Sequence, residues 1–438
     1  MLSTFGFAMV AIFMTLISTR RLSALAALIL VPTVVALVAG FGAHLGPMML
    51  TGIKDLAPTA VMLLFAILYF GVMIDAGLFE PLVKVIVRAT AGDPVRTLLG
   101  TVALALVVGL DGDGSTTYMI TIVAMLPLYR RLKLDVRMLA CLAIMASGVS
   151  NMLPWGGPTA RAASVLHLDP AALFLSLLPA ILVTAGYVFL VAWWMGRKER
   201  ARIAGIAPLD EPPLLVDSEE ALLPEGGSSA KRPKLILFNL ALTLALLAGL
   251  VLSIMPLPVM FMLAFAVAMV VNYPKLEDQR ERLYAHAGNA LSVGGLVFAA
   301  GLFTGILGGT GMVDAMARSV IHVIPPEAGP YMAPITALLS VPFTFLISND
   351  AFYFGMLPIL AQAGAAYGVT PEQMARASLI GQQVHLLSPL VPSTYLLVSM
   401  VGIELAEHQR YTIRWALGAA LVLLVSALAI GAFPLAKF

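Results

Sequence analysis

Two short stretches place acids where acids are costly. LDGDGSTTY at 110–118 carries Asp111, Asp113, Ser115 and Thr116, and LISNDAFYF at 346–354 carries Ser348, Asn349 and Asp350, each inside an otherwise apolar run. An ionisable residue at membrane depth faces a cavity, an ion or a charged partner. Gly112 and Gly114 let the first turn take up positive φ and bring backbone close to a ligand. Ser, Thr and Asn supply neutral donors and acceptors. A turn of this kind also exposes helix ends, whose free N–H groups favour an anion. Carbonyls and carboxylates favour a cation instead. Asp113 and Asp350 are therefore the candidates for carrying a proton or touching a metal ion, with Asp111 beside them. Ser115, Thr116 and Asn349 are candidates for substrate. The plainer alternative is that these residues only cap a turn.

Further along each half an apolar run is broken by proline: NMLPWGGPTA at 151–160 and LLSPLVPSTY at 386–395. Proline lacks an N–H and frees nearby carbonyls. At membrane depth such groups must find partners in protein, in a polar cavity or on a cargo. Asn151, Gly157 and Thr159 in the first break, and Ser393 and Thr394 in the second, are the substrate candidates there. His385 is titratable near neutrality. Arg161 could grip a carboxylate as a bidentate fork or serve as an anchor outside the membrane, and Trp155 reads as a wall. A simple kink satisfied by neighbouring helices is the structural alternative.

The elements that position these groups follow from composition. Of 438 residues, 60% are hydrophobic and 11% charged, with a mean hydropathy of +0.96. Soluble domains are far less apolar, and many charge-free windows reach the length of a bilayer-crossing helix. A net charge of +2 gives no reason to expect nucleic acid. The single Cys141 reads as a buried small hydrophobe. Phosphate-cradling loops and paired-histidine zinc motifs are missing, so the chain reads as a non-enzyme with no permanent cofactor.

Apolar spans at 2–19, 22–42, 57–77, 138–157, 171–195, 235–254, 257–273, 289–310, 376–400 and 413–433 predict ten crossings. The stretches about 94–129 and about 331–368 are too long for one helix, and their polar centres predict re-entrant hairpins. With the N-terminus outside, Lys54, Arg161, Arg318, Arg376 and Lys437 fall outside and the other 21 of 26 basic residues inside, a strong positive-inside bias. Both termini are then expected outside. Asp75 and Asp314 lie 239 positions apart, Asp113 and Asp350 237, and Pro154 and Pro392 238. The expected fold is all-α and membrane-integral: two repeats, 1–196 and 235–438, each of five crossings and one hairpin. An odd number of crossings inverts the second repeat against the first. Broken helices are expected at about 138–160 and about 376–400, a cytoplasmic linker at 197–234, and interfacial arms at 78–92 and 313–326. Inverted repeats place cargo between discontinuous helices near mid-membrane.

With these residues in view, the chain resembles the citrate–divalent metal/proton symporter family (CitMHS) of the ion transporter superfamily. The resemblance rests on GDGSTTYMITIVAMLPLY at 112–129, NMLPWGGPTARAASVL at 151–166, SNDAFYFGMLPIL at 348–360 and VHLLSPLVPSTYLLV at 384–398. It implies a proton-coupled symporter of citrate complexed with Mg²⁺ or Ca²⁺, in the cytoplasmic (inner) membrane. It also implies a homodimeric scaffold, a moving transport domain and elevator-like motion. Sodium-coupled dicarboxylate relatives carry Ser-Asn-Thr at both tips. Here Asp350 follows Ser348-Asn349, and the first tip has Asp111 and Asp113, which suits a proton carrier or a ligand for the substrate's metal. Free citrate carries about three negative charges at neutral pH, and an inside-negative voltage opposes its entry by ~2.3 kcal/mol per charge at 100 mV. Chelation and added protons remove that opposition. A carrier of another carboxylate, dicarboxylate or gluconate-like, and a cation/proton antiporter remain as alternatives.

Overall fold

The computed structural model describes residues 1–19, 21–90, 92–204, 230–323 and 325–437. Arg20 and most of the 197–234 linker, residues 205–229, lie outside the described residues. Every regular element among the described residues is helical. Seven helices are long and apolar enough to cross a membrane: Gly42–Asp75, Pro94–Asp111, Pro170–Ile203, Pro233–Val251, Leu276–Gly309, Glu327–Leu346 and Leu405–Ala429. Shorter apolar helices, Leu2–Ile17, Ala24–Val38, Val136–Ser150 and Leu257–Asn272 among them, fill the space between. The chain is a multi-pass membrane protein.

Several helices run past their apolar spans. The span expected from 57 is a helix from Leu45 to Asp75, and that expected from 289 starts at Leu276. Lys54, Asp55 and the charged stretch 277–286 sit in these extensions. Hydropathy marks apolar depth, whereas backbone hydrogen bonding continues into polar turns. Helix starts carry local signals. Asp93, Asp113 and Asp135 each accept a backbone N–H from the turn they open, and Thr370 and Gln373 form a reciprocal capping box.

The most extensive helix packing joins Leu45–Asp75 to Leu276–Gly309. Glycine makes it possible. A Cβ on Gly52 would fall on the Gly301 carbonyl, and one on Gly301 would lie 2.6 Å from the Gly52 carbonyl oxygen. Small residues let backbones approach in this way. At the end of this pair, Asp75 meets His286 at 2.8 Å and Arg282 at 3.2 Å. The spacing-matched Asp314 sits elsewhere, in the first turn of Met312–Val323, where it accepts from Gln362. The two acids share an offset in sequence but not a place in their elements.

Two helical hairpins follow the amphipathic arms Glu80–Ala89 and Met312–Val323. In the first, Pro94–Val108 folds back onto Gly114–Arg131, with Thr101 and Tyr129 hydroxyls 3.1 Å apart. In the second, Met332–Leu346 folds back onto Leu357–Ala365 through a π-helical turn, Ala351–Met356. Val136–Ser150 gives way to Gly157–Val165, and Gln382–His385 to Pro392–Val401. At the linker's end Lys231 pairs with Glu80 on the first arm at 2.9 Å.

Candidate substrate-binding site

At the first tip the chain makes a 3₁₀ turn, Gly109–Asp111, and passes through Gly112 at φ +78°. A side chain there would be strained, and its Cβ would press on the Trp155 ring at 3.1 Å. The Asp111 carboxylate accepts the Asp113 N–H at 2.9 Å. Asp113 then caps the next helix, accepting from the Ser115 N–H at 3.0 Å, the Thr116 N–H at 3.4 Å and the Thr116 hydroxyl at 2.9 Å. Trp155, from the first break, donates Nε1–H to the Leu110 carbonyl at 2.8 Å, so the first tip is pinned to the first break. Its ring lies 5.1 Å from Phe261 and 5.7 Å from Phe70.

The second tip is capped differently. The Ser348 hydroxyl accepts the Ala351 N–H at 3.1 Å, which leaves the Asp350 carboxylate free to leave its own turn. Asn349 and Gln382 exchange amide hydrogen bonds at 3.1 and 3.3 Å, and Gln382 also donates to the Tyr353 hydroxyl at 3.0 Å. His385 Nδ1 lies 2.6 Å from the Thr344 carbonyl. A carbonyl can only accept, so Nδ1 carries the hydrogen, and Nε2 has no hydrogen-bond partner among the described residues.

These parts line one open cavity of about 360 Å³. Asp113 and Gly112 line it from the first tip, Asn151, Gly157 and Arg161 from the first break, Asn349 and Asp350 from the second tip, and His385 and Ser393 from the second break. The halves interlock across it. Arg161 Nε donates to Asp350 Oδ1 at 2.6 Å. A Cβ on Gly114 would lie 3.3 Å from Ser393 Oγ, and Gln383 donates to the Gly148 carbonyl at 3.1 Å.

Of the remaining sequence candidates, Ser115 and Thr116 stand one step behind Asp113, and Asp111 is buried beneath it. Thr159 and Thr394 are fully buried; their hydroxyls donate to the Met152 and Leu386 carbonyls and brace the breaks. None of these five lines the cavity. Arg161 does, and its counter-ion was not legible in the sequence. The available signal was its position four residues after Gly157, which folds the side chain back over the helix's first turn. That helix, Gly157–Val165, and Pro392–Val401 both begin at the cavity with no side-chain cap. Uncapped helix N-termini attract anions. Two such ends and Arg161 can attract an anion; Asp350 and Asp113 on the same lining add affinity for a cation. Among the described residues, no group of three or more His, Cys, Asp or Glu side chains is placed to hold a resident metal.

The family model described as "Citrate transporter" (CitMHS) matches residues 4–381. The chain belongs to the citrate transporter family. A citrate transporter of Bacillus subtilis is 55% identical over 431 residues, covering 98% of this chain and 99% of its own length. The Mg(2+)/citrate complex secondary transporter of the same organism is 50% identical over 436 residues, covering 99% of this chain and 100% of its own length. Family members are transporters rather than enzymes. Among solved structures, the YdaH transporter of Alcanivorax borkumensis superposes with a TM-score of 0.58 over 90% of each chain at 14% identity, a likeness of fold alone.

Proposed function

We propose that this transporter carries citrate complexed with a divalent metal ion, Mg²⁺ or Ca²⁺, by proton-coupled symport across the cytoplasmic membrane. The observation that carries this reading is the cavity itself, whose lining combines Arg161 and two uncapped helix ends with Asp350 and Asp113. A cargo that is anionic at one edge and cationic at another matches both sets of groups. The 50% identity to a Mg(2+)/citrate complex transporter supports the same cargo.

In this reading the metal is part of the substrate. Asp350 is the acid best placed to meet it, since Asp113 is engaged with its own helix. Asn151, Gly157, Asn349 and Ser393 contact the citrate, with Ser115, Thr116, Thr159 and Thr394 holding the shape of the site. Asp350 and His385 are the groups that exchange protons with the cavity. The two hairpins are re-entrant from opposite faces, the halves are inverted repeats, and both termini lie outside. The paired long helices serve as a dimeric scaffold past which the hairpins and broken helices move as an elevator. Uptake of labelled citrate into proteoliposomes tests this. Uptake should need Mg²⁺ or Ca²⁺, vanish with chelator and rise with an inward proton gradient. Uptake indifferent to both metal and proton gradient would refute it.

A further inference from the structure

The Arg161–Asp350 pair joins the first break to the second tip directly across the cavity. It is a single-point contact: of the guanidinium donors only Nε is engaged, and Nη1 and Nη2 have no partner among the described residues. Asp350 Oδ2 is likewise unengaged. Paired Arg and carboxylate side chains normally prefer the two-bond fork, so this pair leaves binding capacity on both sides. The side chains are 23% and 17% exposed, and that exposure opens on the cavity.

Each charge therefore guards the other. A free carboxylate approaching Arg161 finds Asp350 already there, with Asp113 on the same lining adding repulsion. A free cation approaching Asp350 finds Arg161. A chelate presents both signs at once. We propose that the Arg161–Asp350 pair is a charge lock opened by a cargo bearing both signs, whose metal edge takes Asp350 while a carboxylate takes Arg161. This rests on the reading of the cavity as a metal–citrate site and explains why the complex would be preferred to either component. The other titratable groups facing the pair are His385 and Asp113, with Tyr353 buried behind Asp350 and bonded to Gln382. The helices packed against this region, Leu2–Ser18, Leu45–Asp75, Pro170–Ala204, Leu276–Gly309, Met332–Leu346, Leu357–Ala365 and Pro371–Ser378, add no titratable side chain to the lining.

Binding measurements on the purified full-length protein test the lock. Asp350→Asn frees Arg161, so citrate in EDTA should bind about tenfold tighter than to the wild type, and the preference for Mg²⁺–citrate should collapse. Arg161→Gln frees Asp350, so Mn²⁺ alone, followed by its paramagnetic resonance signal, should bind about tenfold tighter. An Asp350→Asn protein that keeps the wild-type preference for the chelate, or an Arg161→Gln protein with unchanged Mn²⁺ affinity, overturns the proposal. Should Asp350→Asn fail to fold, the Mn²⁺ measurement decides alone. Wild-type protein that binds neither form of citrate would sink the substrate reading, and the Mn²⁺ arm, which needs no citrate, would still decide the lock.

Discussion

At the first tip Asp113 turns inward on its own helix, taking two backbone N–H groups and the Thr116 hydroxyl. At the second, Ser348 supplies the cap and Asp350 reaches across the cavity to Arg161. By capping role, Ser348 is the counterpart of Asp113, and Asp350 stands two places further on, as Ser115 does in the first tip. The two tips thus differ in what their acids do: one stabilises a turn, and the other is left facing the cavity. An acid at membrane depth can be held in either way, by donors within its own turn or by a partner from the other half.

The largest effect should come from removing the partner. Arg161→Gln removes the group that takes the cargo's carboxylate. Truncating one partner of a hydrogen-bonded charge pair costs about 2–5 kcal/mol in binding, so Mg²⁺–citrate affinity measured by calorimetry should fall roughly 30-fold or more. Next comes Gln382→Leu, which strands the Asn349 amide in a buried setting and should lower stability by about 1–3 kcal/mol, read from thermal unfolding in detergent. Asp113→Ala removes a cap worth about 1–2 kcal/mol and Asp113→Ser should restore most of it. Asp350→Asn should change stability by only about 0–1 kcal/mol, as partly exposed pairs do. If Asp350→Asn unfolds the protein and Asp113→Ala does not, the division of labour is reversed. On transport, the smallest effect is Trp155→Phe, which forfeits one hydrogen bond to the Leu110 carbonyl, about 1 kcal/mol of stability, with uptake changed less than roughly threefold.

Much of this was legible in the sequence because hydrocarbon makes polar residues conspicuous. The tips at 110–118 and 346–354 and the breaks after Asn151 and Leu386 stood out against apolar runs, and all four meet at one cavity. Helix lengths were less legible, since the polar turns of Leu45–Asp75 and Leu276–Gly309 carry no hydropathic signal. Two further features escaped. A one-dimensional pattern cannot say that Arg161, counted among five basic residues on the outer side, closes on an acid 189 positions away. Nor does it separate Asp113 from Asp350, because both read as an acid beside small polar residues. Their difference lies in which neighbour caps the turn.

The central claim is that cargo sits where the two tips and two breaks meet. Ser393 lines that cavity and packs on Gly114, and the native Cys141 is buried. In a Cys141→Ser background, Ser393→Cys should react with a soluble maleimide at a rate that Mg²⁺–citrate slows about fivefold or more, while Mg²⁺ alone leaves it unchanged. A protein that still transports Mg²⁺–citrate yet labels at the same rate with and without it would place the cargo elsewhere.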